Sequence, residues 1–227
     1  MQQEIRILIF SLTMLCCAHA GSAQAQPPQE DAVFQATAPT GNIIVSTGTA
    51  TLAIQELVSS ARQYADAQAP GITAAEQQRR TSLEERLSTV LDLHEMAHLI
   101  LIKQWDGLGH RDREKYASLL EALVEKIGYP QIEKFFNGKI DISYESERSL
   151  DGGAAAVLTK IAYKEEDVTL ATEFRLHKTA AGWRIYDVIT DGESLLLIYR
   201  NQHSGIIKEK GFAHLLKLME KKLNEAK

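Results

Sequence analysis

Cysteine is nearly missing from this chain. Its 227 residues contain two, Cys16 and Cys17, side by side near the start. Everything after them is free of thiols, so that stretch can form neither a disulfide nor a thiolate metal site. Strong charge is missing too. The net charge of −5 argues against nucleic acid as a partner and against strong attraction to anionic lipid headgroups. Aromatic residues make up only 7% of the chain. Internal repeats are absent, and so are a nucleophile elbow, a P-loop, a dinucleotide glycine pattern and a calcium loop. The apolar run from Ile7 to Ala18 covers 12 residues, too few to span a membrane as a helix. No second long apolar segment follows.

That first run is expected to be a secretory signal. Arg6 is the one basic residue before it, and two A-x-A patterns follow, Ala18-His19-Ala20 and Ala23-Gln24-Ala25. Cleavage is expected after Ala25, giving residues 1–25 as signal and a periplasmic address. Cys16 and Cys17 are then filler in the signal. The alternative, lipid attachment at Cys16, lacks the usual small residue just before it, where Thr13, Met14 and Leu15 stand. Residues 26–47, rich in Gln, Pro, Thr and Ala, are expected to be a flexible lead-in. Residues 48–227 are long enough for one domain with a sizeable core.

Helical spacing opens that domain. Ile54, Leu57, Val58, Ala61 and Tyr64 share one face, ended by Pro70-Gly71. Thr73 and Glu76 form a capping box, ahead of Leu83, Leu87, Val90 and Leu91. A strongly apolar helix is expected from Leu93 to Trp105. Tyr116, Leu119, Leu120, Leu123, Val124 and Ile127 form the cleanest stripe, closed by Gly128 and Pro130.

After Gly138 the period drops from 3.6 to 2. Four strands joined by short loops are expected: Ile140 to Glu145, Val157 to Tyr163, Val168 to Leu176, and Trp183 to Thr190. On the last, Trp183, Ile185, Asp187 and Ile189 are expected on one side, and Arg184, Tyr186 and Val188 on the other. Asp191-Gly192 is turn chemistry, with Asp191 placed to cap a helix from Ser194 to Lys208. A last helix follows Gly211. The expected class is α+β: N-terminal helices on a curved four-stranded antiparallel sheet, closed by C-terminal helices.

The ordered set Trp183, Tyr186-Asp187-Val188, Gly192, Ser194-Leu195, Tyr199-Arg200, Ile206-Ile207 and Gly211 resembles the C-terminal signature of the MlaC-type family. These are periplasmic lipid carriers of the Mla pathway, also called the toluene-tolerance auxiliary family. A looser similarity extends back to about Leu52. The resemblance implies a non-enzymatic carrier holding phospholipid tails in an internal apolar pocket. It also implies two docking partners: an outer-membrane lipoprotein complex, and an inner-membrane MCE-type protein attached to an ABC transporter. A relative within such a family could carry another apolar lipid, such as a hopanoid.

Composition alone does not separate a solid core from a lined cavity, although the helices offer wide apolar faces. On the cavity reading, the inward-facing candidates for tail contact are Met96, Leu101, Phe135, Tyr144, Leu158, Ile161, Leu170, Phe174, Val188, Leu196 and Tyr199.

His94-Glu95-Met96-Ala97-His98 matches the H-E-x-x-H zinc pattern, two histidines on one helix face with a glutamate as base. A metallopeptidase is therefore the rival reading. The extended form of the motif needs Gly at 101 and His at 104, where Leu101 and Gln104 stand. Glu114, Glu121 or Glu125 would have to supply the third ligand. No metal or other cofactor is expected. The remaining histidines after the signal, His110, His177, His203 and His214, read as surface or helix-flank residues.

Overall fold

The computed structural model describes residues 49–66, 73–131, 135, 140–165 and 167–226. The expected signal, the lead-in and the Pro70-Gly71 stop lie outside these residues. Helix α1 (Thr49–Asp66) and helix α2 (Ala74–Val90) come first. Helix α3 (Leu93–Ile100) leads through a 3-10 turn at Trp105–Gly107 into α4 (His110–Leu123). The helix then widens into a π-helical turn, Val124–Gly128. Strands β1 (Ile140–Ser149), β2 (Ala155–Tyr163), β3 (Val168–Thr179) and β4 (Gly182–Thr190) follow. Two-residue strand β5 (Glu193–Ser194) precedes α5 (Leu195–Lys210) and α6 (Phe212–Glu225).

The sheet is an antiparallel meander in the order β1-β2-β3-β4-β5. It has five strands rather than four. The extra one comes from the Asp191-Gly192 turn, where φ is 51° and 83°. Positive φ at both central residues is the geometry of a two-residue hairpin. The turn therefore folds the chain back on β4, pairing Ile189 with Ser194 and Thr190 with Glu193, before the helix begins.

Asp191 is consequently a turn residue and not the cap. Ser194 is the N-cap of α5, its Oγ accepting from the Leu197 amide at 3.1 Å. Asp187 supports it from β4. Its carboxylate accepts from Ser194 Oγ at 2.7 Å and from the Leu196 amide at 3.1 Å.

Two bulges bend the sheet. One leaves Glu145 between the Tyr144–Thr159 and Ser146–Leu158 pairs. The other leaves Tyr186 between the Leu176–Ile185 and Arg175–Asp187 pairs. The second breaks the expected alternation on β4. Ile185 and Val188 share the inner face, while Asp187 turns away to meet α5.

Helices α1 and α2 cover the inner face. Ala50 and Ile54 pack on Ala155, Val157, Leu176 and Ile185. The Glu147 carboxylate accepts from the Thr51 amide at 2.8 Å and its hydroxyl at 2.6 Å, tying the start of α1 to β1. The outer face carries ion pairs, Lys160 with Glu145 and Arg148 and Arg175 with Glu173.

A second core joins α3, α4, α5 and α6 through Ile100, Leu101, Tyr116, Leu123, Leu196, Leu215 and Met219. Helix α3 ends at Ile100, five residues before the expected Trp105. The Leu99 carbonyl, which a continuing turn would offer to residue 103, accepts from Arg200 Nε at 3.0 Å and Nη2 at 2.8 Å.

Candidate apolar pocket and its polar neighbour

Between α1, α2 and the inner face of the sheet lies a cavity of about 240 Å³. Helix α1 presents Leu57, Val58 and Ala61 to it, and α2 presents Leu87, with Leu91 just beyond the helix end. The sheet contributes Ile142, Thr159, Ile161 and Phe174, and Tyr129 and Phe135 close one side. The helical residues share one face because their spacing follows the 3.6 period. The strand residues share another because Ile142 pairs with Ile161, and Thr159 lies between Ile161 and Val157, the partner of Phe174.

Thr159 brings a hydroxyl into this lining, but its Oγ1 donates to the Thr172 carbonyl at 3.0 Å. The polar group is satisfied within the sheet, which leaves the wall apolar. The chemistry of the site is therefore burial of hydrocarbon, with no charged group in the lining.

The rim is tied by polar contacts. Tyr64 of α1 donates its hydroxyl to Glu84 of α2 at 3.3 Å and accepts from Arg80 at 3.0 Å. Its ring meets the Tyr129 ring edge-on, with centroids 6.2 Å apart. Tyr129, 3% exposed, shares a 2.6 Å hydrogen bond between its hydroxyl and Ser88 Oγ. Burial, with Glu125, Glu84 and Glu121 nearby, pushes the Tyr129 phenol up to about 12 against the opposing effect of Ser88. It therefore keeps its proton at any physiological pH.

On the other side of Tyr129 lies an open groove of about 930 Å³ between α2, α4 with its π-turn, and the end of α6. Its lining is mixed: Thr81, Glu84, Glu85, Ser88, Thr89, Glu125, Lys126 and Asn224 stand beside Ala122 and Leu223. Glu125 is shifted upward by burial and by the charges of Glu121 and Glu84.

The sequence candidates divide. Phe135, Ile161 and Phe174 line the pocket. Leu170 packs beside Ile161, and Tyr144 and Val188 join the α1 cluster on the same sheet face. Leu101, Leu196 and Tyr199 belong to the separate core of α3 to α6, and Met96 is buried in α3. Leu158 lies on the outer face, paired across strands with Glu173. Leu57, Val58, Ala61, Leu87, Leu91, Ile142 and Thr159 were legible as helix stripes and strand alternation, but not as one wall. Tyr129 carries no such local signal.

The zinc-like segment does not converge on a point. His98 Nδ1 lies 3.3 Å from Glu95, while His94 Nε2 reaches toward Glu114 at 3.7 Å. Both rings pack on Trp105, with centroids 6.2 and 5.2 Å away. Two other histidines depart from the surface reading. His177 Nε2 pairs with Asp92 at 2.8 Å, joining β3 to the cap of α3. His203 is fully buried, with Nδ1 2.7 Å from the Tyr116 hydroxyl.

The family model for the MlaC protein matches residues 55–221. The chain belongs to the MlaC family. Among solved structures, it is similar to a phospholipid-binding protein from Ralstonia solanacearum, determined in complex with a phospholipid. The TM-score is 0.61 at 15% identity, covering 78% of this chain and 96% of that one. No curated protein sequence matches. At that identity the likeness is one of fold. The family signature lies in β4, β5, α5 and the start of α6, where Asp187, Ser194, Arg200 and Gly211 fix the local structure. None of its residues lines the apolar pocket. Among the described residues, no helix is long and apolar enough to cross a membrane.

Proposed function

We propose that this protein carries phospholipid, with the acyl chains lodged between α1, α2 and the inner face of the sheet. The observation that supports the reading is the uncharged pocket, set in the MlaC fold. The solved neighbour of that fold is described as phospholipid-binding. The pocket's 240 Å³ is below the roughly 300–1,000 Å³ of a site for a drug-sized ligand. Two acyl chains therefore require its walls to move apart.

The role is transport without catalysis. Residues 1–25 direct secretion to the periplasm, residues 26–47 form a lead-in, and residues 48–227 make the lipid-binding domain. The cargo passes between an outer-membrane lipoprotein complex and an inner-membrane MCE-type protein served by an ABC transporter. Hand-over follows from the energetics. Each buried methylene is worth about 0.8 kcal/mol, so one chain of roughly 15 gains on the order of 12 kcal/mol gross. Escape into water is then slow, and unloading needs an apolar acceptor docked against the carrier.

Organic extraction of the purified protein, followed by mass spectrometry, tests the reading. Phospholipid near one molecule per chain is the expected result. A hopanoid-type lipid in its place would reassign the cargo. Absence of any lipid, together with no uptake from phospholipid vesicles, would overturn the carrier function.

A further inference from the structure

Among the described residues, Tyr129 alone lines both the apolar pocket and the open groove that carries Glu84, Glu85, Glu125 and Lys126. One aromatic ring separates a space suited to hydrocarbon from one suited to a hydrated headgroup. We propose that Tyr129 is the door of the pocket, latched by Ser88, and that a phospholipid enters past it with its headgroup left in the groove. This rests on the carrier reading above.

The other described walls are poorly suited to serve as the entrance. On the sheet side, β1, β2 and β3 are held by continuous antiparallel pairing around Ile142, Thr159, Ile161 and Phe174. Separating them would strip buried backbone groups of their partners. On the helical side, α1 and α2 are clasped through Tyr64, Glu84 and Arg80. Tyr129 is held differently. Its ring is buried, but its polar anchor is a neutral hydrogen bond to Ser88 at 2.6 Å, on the groove side.

The backbone beneath Tyr129 is also weakened. It follows directly on the π-helical turn Val124–Gly128, and its amide reaches back five residues to the Val124 carbonyl. Turns of this kind are rare and recur where a helix serves a function. Pro130 comes next and has no N–H to donate, so the α-helical bond to the Lys126 carbonyl cannot form. The chain is helical again at residues 129–131, so Tyr129 stands at the junction of the π-turn and the next helical turn, where the backbone ladder already lacks the Pro130 donor. Groove and pocket together match an amphiphile, since charged side chains line the groove and none lines the pocket.

Both empty and loaded forms close on the same latch. Removing it should speed loading and release alike and leave occupancy unchanged. The test uses fluorescent phosphatidylcholine exchanged between vesicles and full-length protein. Tyr129→Phe keeps the ring and loses the hydroxyl, and Ser88→Ala removes the other half. Each is expected to raise the exchange rate about threefold to tenfold, the factor carried by a net neutral hydrogen bond. The double variant is expected to be no faster than either single one, because the two share one bond. Thr89→Ala is the control: Thr89 lines the same groove, but its hydroxyl donates to the Glu85 carbonyl, and its exchange rate should stay at the wild-type value.

Loaded wild-type protein with unchanged rates in Tyr129→Phe and Ser88→Ala would overturn the door and leave the carrier reading intact. An equal acceleration in Thr89→Ala would overturn it as well, assigning the effect to general loosening of α2. Wild-type protein that neither holds nor takes up lipid would overturn the carrier reading, and the door with it.

Discussion

Asp187 and Ser194 form a buried link across a hairpin, the serine Oγ donating to the carboxylate at 2.7 Å. The same carboxylate accepts from the Leu196 amide, so a single side chain on β4 fixes the origin of α5. Burial pushes the Asp187 carboxyl above its ordinary value, against the hydrogen bonds from Ser194 and Leu196. Asp187→Ala leaves a helix end and a buried hydroxyl without their acceptor. A loss of about 2 kcal/mol is expected, lowering Tm by roughly 4–8 °C for a chain of this size. Calorimetry or thermal circular dichroism would read it, and an unchanged Tm would refute the capping role.

Gly211 joins α5 to α6 at φ 84° and ψ 161°, a region essentially reserved for glycine. A Cβ built there meets nothing within 4 Å, so the penalty of substitution is backbone strain and not a clash. Gly211→Ala should cost about 1–3 kcal/mol, and Gly211→Ser should cost a similar amount. A much larger loss with the bulkier side chain, seen by chemical unfolding, would point to steric conflict.

His203 is the interior histidine, and burial lowers it from the ordinary 6.5 to about 4. The unfolded chain takes up a proton below pH 6.5, while the folded chain refuses it until about pH 4. Unfolding therefore absorbs a proton in this window, and stability falls as pH drops through it. The full penalty, reached below the lower value, is on the order of 3 kcal/mol. His203→Gln should flatten the stability profile between pH 6.5 and 4 relative to wild type. Urea titrations at a series of pH values measure that difference, and parallel profiles would contradict it.

Filling the pocket should compete with the cargo. Ala61→Phe puts a ring into the lining contributed by α1. Leu158→Trp, on the outer sheet face opposite Glu173, does not. Phospholipid loading is expected to be largely lost in the first variant and kept in the second. Any residual strain from Ala61→Phe should stay within about 1–3 kcal/mol. Equal loading of both, read by mass spectrometry, would place the tails elsewhere.

For the histidine pair, His94→Ala and His98→Ala should each cost no more than about 0.5–1.5 kcal/mol, the worth of a ring contact, because both rings pack on Trp105 and both side chains are partly solvent-facing. Lipid loading should survive both changes. Stoichiometric zinc lost in both variants, together with a hydrolytic activity, would revive the peptidase reading.

Local sequence was sufficient for the class of the fold and for its family. The change of period after Gly138, the stripes from Ile54 to Tyr64 and from Tyr116 to Ile127, and the Asp191-Gly192 turn each follow from side-chain spacing along one element. So does the signature from Trp183 to Gly211, because its members hold neighbouring segments together over short distances. Tertiary structure decided what spacing does not encode. The Tyr186 bulge moved Asp187 to the opposite side from Ile185 through pairing with Arg175 and Leu176. Arg200 stopped α3 from a position 101 residues away, and Tyr116 drew His203 into the interior across 87 residues. The pocket wall is of the same kind. Ala61, Leu87 and Ile161 are each ordinary core positions on their own elements, and Tyr129 meets Ser88 from 41 residues away. A core and a cavity use the same side chains, and only the separation of the surfaces that present them distinguishes the two.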